Sequence, residues 1–160
     1  IKPSEMLKRH ENILYLGTFS KIYGLAGMRV GFGIASEEAV EALNKFRPPY
    51  NIATLSMYAA IAAVKEQDYI NECLKKNFQE MERFEEFAKE SSLPFLPSYA
   101  NFLTMPLNVY NSSRVAEGLM KQGVLVFDLK RHDVNAIRVT IGKPVQNDIF
   151  FERFAKYMRR

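Results

Sequence analysis

Apolar residues gather in short runs near the start of the chain and in periodic stripes further along. Ile13, Leu14, Tyr15 and Leu16 lie together within positions 12–18, the pattern of a buried strand, and Met28 to Ile34 gives a second strand. Ser36 opens a helix through Lys45, because its hydroxyl can accept from an early amide while Glu37 and Glu38 complement the positive end of the helix dipole. Arg47-Pro48-Pro49-Tyr50 stops that helix, since neither proline has a backbone donor. From Ile52 to about Ser91 the spacing predicts one long or kinked helical region. Ile70, Leu74, Phe78, Met81, Phe84 and Ala88 fall on one face of it, with acids and lysines opposite. Such a stripe reads as core; an amphipathic partner-binding helix is the functional alternative.

The remainder alternates elements as a small α/β domain does. Positions 94–105 supply one or two strands, Ser113 caps a helix that ends before Gly123, and positions 124–127 and 136–141 read as strands. Pro144 sits where a first helical turn tolerates a missing donor, and opens a last helix in which Phe151, Phe154, Ala155 and Met158 share a face with Phe150 at its margin. No internal repeat emerges.

Composition narrows the function classes. With 160 residues, 48% hydrophobic and 25% charged, the chain can build a globular core and is not a disordered tail. The net charge of +4 invites a nucleic-acid reading, but the basic residues alternate with acids along positions 66–90, which is the pattern of a solvated helix face. Cys73 is the only cysteine, so an intrachain disulfide is excluded and a reducing cytoplasm fits. His10 and His132 have no ligand-like spacing, which leaves a metal site without support. No secretory signal and no apolar run of about 18 residues argues for membrane insertion.

Chemistry concentrates between Thr18 and Gly33. Lys21 can supply an amine that condenses with an aldehyde, the activation used by pyridoxal phosphate (PLP) enzymes. Thr18 and Ser20 flank it as short donors for phosphate oxygens, Gly24 and Gly27 permit a tight turn, and Arg29 offers a planar fork suited to a phosphate dianion. A glycine-rich surface turn beside a stray lysine is the bland alternative.

Thr18-Phe19-Ser20-Lys21, the Tyr23-Gly24-Leu25-Ala26-Gly27 turn and Arg29-Val30-Gly31 resemble the lysine loop of the fold-type I aminotransferases, most closely the histidinol-phosphate aminotransferase branch. Four further blocks match in order: Arg47-Pro48-Pro49-Tyr50-Asn51, Ala100-Asn101-Phe102, Gly123-Val124-Leu125-Val126 and Ile137-Arg138-Val139-Thr140-Ile141-Gly142. The resemblance implies the C-terminal part of a PLP-dependent transferase fold: the end of the large cofactor-binding domain over 1–68, a long linking helix, and a small C-terminal α/β domain over 69–160. Members of the family are about twice as long, and the first residue is Ile1. The expectation is therefore a C-terminal fragment, inactive alone, that lacks the upstream acid, stacking ring and first phosphate turn of the family's cofactor pocket.

The resemblance also implies roles. Lys21 would carry the cofactor and move the substrate proton, with Thr18, Ser20 and Arg29 on its phosphate. Arg138 would bind an acidic group of the substrate, and Asn101 would orient the same end of the site. Arg138 interrupts the alternation of Ile137, Val139 and Ile141, so on a strand it faces the opposite side, where a plain solvent-facing arginine is the alternative. Asn101 reads equally as a turn residue. The implied partners are an amino donor and a 2-oxo acid acceptor, with a homodimer as the full-length enzyme and no nucleic acid or membrane. One position departs from the family: Phe127 stands where the histidinol-phosphate enzymes usually carry an arginine. Either Lys130 or Arg131 compensates, or the substrate is different, as in an aromatic amino acid aminotransferase; a third possibility places Phe127 in the core. An amino-acid phosphate decarboxylase and a noncatalytic folding or association module complete the readings.

Overall fold

The computed structural model describes residues 2–10 and 12–158. Its contacts divide the chain into two compact units, one running up to Glu72 and the other starting at Cys73. The first begins with helix α1 (Pro3–Arg9), which the apolar spacing does not predict; Pro3 occupies a first-turn position where no amide donor is needed. Strands β1 (Tyr15–Thr18) and β2 (Gly31–Ile34) then form an antiparallel pair, with Tyr15 opposite Ile34 and Thr18 opposite Gly31. The expected strands are present, but β1 is not buried: Leu16 is 73% exposed, because among the described residues β1 has only β2 beside it. The two strands approach so closely that a Cβ added at Gly31 would lie 2.8 Å from the Gly17 carbonyl oxygen.

Helix α2 (Glu37–Phe46) is capped as its sequence predicts, the Ser36 hydroxyl accepting from the Ala39 amide at 3.4 Å. The expected long helical region is kinked. It consists of α3 (Thr54–Lys65) and α4 (Gln67–Glu90), separated at Glu66, whose ψ of 50° leaves the helical range. On α4 the stripe is buried at Ile70, Met81, Phe84 and Ala88, whereas Leu74 and Phe78 are exposed.

The second unit places strands β3 (Phe102–Pro106), β4 (Phe127–Asp128) and β5 (Ala136–Thr140) in one antiparallel sheet of order β3-β5-β4. Helices α5 (Ser112–Met120) and α6 (Pro144–Met158) complete it. Leu103 and Met105 of β3, Ile137 and Val139 of β5, and Met81, Phe84 and Ala88 of α4 meet in one core with Val115, Leu119, Phe150 and Phe154. The Phe84 ring is inaccessible and lies 5.3 Å from Phe150 and 4.6 Å from Phe151.

Three local expectations are corrected. Asn111, not Ser113, caps α5 by accepting from the Arg114 amide at 3.1 Å, while Ser113 donates to Asp128. Of the strand expected over 124–127 only Phe127 is extended in the sheet, paired as part of β4 with Asp128 beyond the expected end. Phe150 is a core residue and Phe151 is half-buried, because the inward stripe of α6 runs through Asn147, Phe150 and Phe154, and a polar member at its head shifts the apolar pattern by one residue.

Asn147 is 2% exposed and fully engaged. Its Oδ1 accepts from the Gly142 amide at 2.9 Å, and its Nδ2 donates to the Gly142 carbonyl at 3.0 Å and to Glu80 Oε2 at 2.6 Å. Arg83 donates to the same Glu80 oxygen at 2.8 Å and also to Asp148. The turn that follows β5 is thereby fastened to α4.

Candidate active site

The first unit carries the lysine loop as the connection between β1 and β2. Thr18 ends β1 opposite Gly31, and the pairing extends one step further through the Phe19 amide, which donates to the Val30 carbonyl at 3.3 Å. Phe19 is 8% exposed and anchors the loop, its ring 4.8 Å from Tyr23 and 5.6 Å from Phe32, in a small cluster with Val30 and Ala60. Beyond this anchor the chain turns sharply. The Gly24 amide donates to the Lys21 carbonyl at 2.9 Å, and Gly24 has φ +68°, a conformation that glycine adopts without steric cost.

Thr18 Oγ1 accepts from the Ser20 amide at 3.1 Å, which fixes the two hydroxyl residues relative to each other. Lys21 is exposed and has no carboxylate partner among the described residues. Arg29 closes the short 3₁₀ turn Ala26–Met28 with φ 51°, a left-handed conformation that costs a non-glycine residue on the order of 1–3 kcal/mol. Its Nη1 donates to the Ala26 carbonyl at 2.8 Å, so the guanidinium is held against its own turn with the remaining donors open. Thr18, Ser20, Lys21 and Arg29 thus share one loop, with Ser20 and Arg29 flanking the Phe19–Val30 hydrogen bond.

The second unit holds Arg138 and Asn101. Arg138 lies on the central strand, opposite Thr104 of β3 and Phe127 of β4. Its neighbours Ile137 and Val139 point into the core, so its side chain emerges on the other sheet face, as the alternation predicts. There its guanidinium carbon is 4.6 Å from the centre of the Phe127 ring and 4.9 Å from that of Phe102. Phe127 is half-buried and outside the main core; its ring stacks on His132 at 6.0 Å and also receives the Arg131 guanidinium at 5.1 Å. Asn101 precedes β3, its carbonyl accepting from the Ile141 amide at 2.9 Å, which sets it beside the end of β5. Its side-chain amide has no hydrogen-bond partner among the described residues.

Sequence reasoning missed Asp128. Its Oδ1 accepts from Ser112 at 2.8 Å and from the Lys130 amide at 3.0 Å, and its Oδ2 accepts from Ser113 at 2.7 Å. Burial pushes the Asp128 carboxyl up, but these donors and the charge of Arg131 outweigh it and hold the group below the usual aspartate range. An aspartate directly before a short helical turn is the signal that could have found it. Among the described residues no helix is long and apolar enough to cross a membrane, and no cluster of three metal-ligating side chains occurs.

A loop with one exposed lysine, two hydroxyls and a left-handed arginine, next in sequence to a small α/β unit with an arginine on its sheet, defines a class. The chain belongs to the aminotransferase class I and II family, which matches residues 4–154. Among its relatives, the histidinol-phosphate aminotransferase of Wolinella succinogenes is 47% identical over all of this chain and 44% of its own length. That of Campylobacter concisus is 45% identical over 99% of the chain and 43% of its own length. The crystal structure of histidinol-phosphate aminotransferase from Sinorhizobium meliloti in complex with pyridoxal-5'-phosphate superposes on 99% of the chain and 44% of its own, with a TM-score of 0.77 at 25% identity. The chain spans less than half the length of these relatives.

Proposed function

We propose that the chain is the lysine-bearing C-terminal part of a PLP-dependent histidinol-phosphate aminotransferase, a cytoplasmic, homodimeric enzyme of histidine biosynthesis. The observation that carries this reading is the β1–β2 loop, where an amine, two hydroxyls and a guanidinium are gathered around one turn. That donor set fits a phosphate-bearing aldehyde: the amine would hold its carbonyl carbon, and the hydroxyls and guanidinium would hold its phosphate. When bound, PLP supplies the electrophilic carbonyl and an electron-withdrawing ring.

Each residue then has a task. Lys21 Nζ would hold the cofactor, and its amine would take the proton from the substrate α-carbon. Thr18, Ser20 and Arg29 bind the cofactor phosphate, Arg29 through the donors its turn leaves open. Arg138 binds the substrate's acidic end group from the exposed face of β5, and Asn101 orients that end. Histidinol phosphate gives up the amino group and a 2-oxo acid such as 2-oxoglutarate receives it.

The test uses the full-length protein that contains this sequence. Borohydride reduction in the presence of PLP, followed by peptide mapping, is expected to place the pyridoxyl label on Lys21, and Lys21→Ala is expected to remove both label and transamination. A label on another lysine refutes the assignment. Turnover of phenylalanine or tyrosine without turnover of histidinol phosphate moves the substrate to the aromatic amino acids.

A further inference from the structure

Phe127 cannot bind an anion by charge, yet it gathers two cations. The Arg138 and Arg131 guanidinium carbons lie 4.6 and 5.1 Å from the centre of its ring. Neither arginine has a carboxylate ion-pair partner among the described residues. The nearby carboxylate, Asp128, has both oxygens occupied by the Ser112 and Ser113 hydroxyls and the Lys130 amide. It senses the charge of Arg131 without pairing with it. Two guanidiniums held on one ring repel each other, and a doubly charged anion shared between them relieves that repulsion. The arrangement has a cause in the chain. Asp128 caps the 3₁₀ turn Leu129–His132, and that turn brings Arg131 back over the ring of Phe127, itself the β4 partner of Arg138.

We propose that Arg131 is the second cation of a phosphate clamp whose first is Arg138, both guanidiniums lying against the Phe127 ring; this rests on the aminotransferase reading above. The ligand class is a phosphate monoester, here the phosphate of the amino substrate. In the full-length enzyme Arg131→Gln is expected to lower kcat/KM for histidinol phosphate roughly ten- to a hundredfold, mostly through KM, the loss of one charge-assisted contact. The same variant should leave kcat/KM for histidinol, which lacks the phosphate, within about twofold. Arg131→Lys should recover part of the loss. Equal losses on both substrates, or no loss on either, overturn the proposal.

A second measurement is independent of turnover. Inorganic phosphate is titrated into the protein while the guanidinium Nε–H resonances of Arg131 and Arg138 are followed. Both are expected to shift with one midpoint, and the Arg138 shift is expected to weaken in Arg131→Gln. If only one arginine responds, or neither, the clamp is refuted even where the enzyme transaminates. If both respond but histidinol phosphate is not a substrate, the clamp stands and the assigned activity fails.

Discussion

Replacing Asn147 by alanine tests how the turn after β5 is held. The side chain is 2% exposed and makes three hydrogen bonds, two to the Gly142 backbone and one to Glu80. Alanine leaves the Gly142 amide and carbonyl unpaired and removes one of the two donors on the Glu80 oxygen, while Arg83 keeps the other. A neutral hydrogen bond contributes about 0.5–1.5 kcal/mol and one to a charged group about 1.5–3 kcal/mol, and Gly142 is accessible enough for water to repair part of the loss. The expected destabilisation is roughly 2–4 kcal/mol, to be read from urea unfolding monitored by probes in the residues after Cys73. Glu80→Gln is the matched control: it keeps an oxygen acceptor for Asn147 and Arg83 and should cost clearly less. A loss below about 0.5 kcal/mol for Asn147→Ala would show that solvent satisfies the turn and that the network does not hold it.

Two further outcomes test other close approaches. Gly31→Ala would set a Cβ 2.8 Å from the Gly17 carbonyl, so the hairpin must open at a cost of roughly 1–3 kcal/mol. Faster hydrogen exchange at the Phe19 amide, with exchange after Cys73 unchanged, is expected, and unchanged Phe19 protection refutes the constraint. Because the Asp128 carboxyl titrates below its ordinary value, its contribution to stability is fully present above the unfolded value of about 3.9 and disappears as pH falls through the depressed folded value. Thermal unfolding across that acid range should show a pH slope that Asp128→Asn reduces, whereas an identical slope in the variant removes Asp128 as its source.

The lysine loop was legible because most of what shapes it is local: a strand, a glycine turn and an arginine twelve residues or fewer from Thr18, with Ala60 of α3 the distant contributor to its anchor. The side of the sheet on which Arg138 emerges was legible for the same reason, since strand alternation alone decides it. Positions set by distant partners were not. Asn147 looks like an ordinary polar helix residue until Glu80 and Gly142 meet it, and Phe150 reads as marginal only because a buried asparagine heads its stripe. Ser113 carries the right side chain for a cap, but Asp128, 15 residues away in sequence, takes its hydroxyl and leaves Asn111 to cap α5.

The two halves of the chain also differ in how their hydrophobic pattern relates to burial. After Cys73 the apolar stripes of α5, α6 and the part of α4 from Met81 onward close on the sheet, and Phe84, Leu103, Met105, Leu119 and Ile137 are wholly inaccessible. Before it, residues with the same character remain exposed: Leu16, Phe46, Leu55 and Tyr58 are each more than 60% accessible, and among the described residues only Phe19, Val30 and Ala60 form a buried cluster. Periodicity reports which face of an element is apolar, and burial follows only where another element covers that face. The short cluster under the lysine loop is enough to fix Phe19 and Val30, and through them the backbone on which Ser20, Lys21 and Arg29 are carried. The loop therefore keeps its shape where much of its surroundings stays open, which is why its local turn was easier to read from the first 33 residues than their burial.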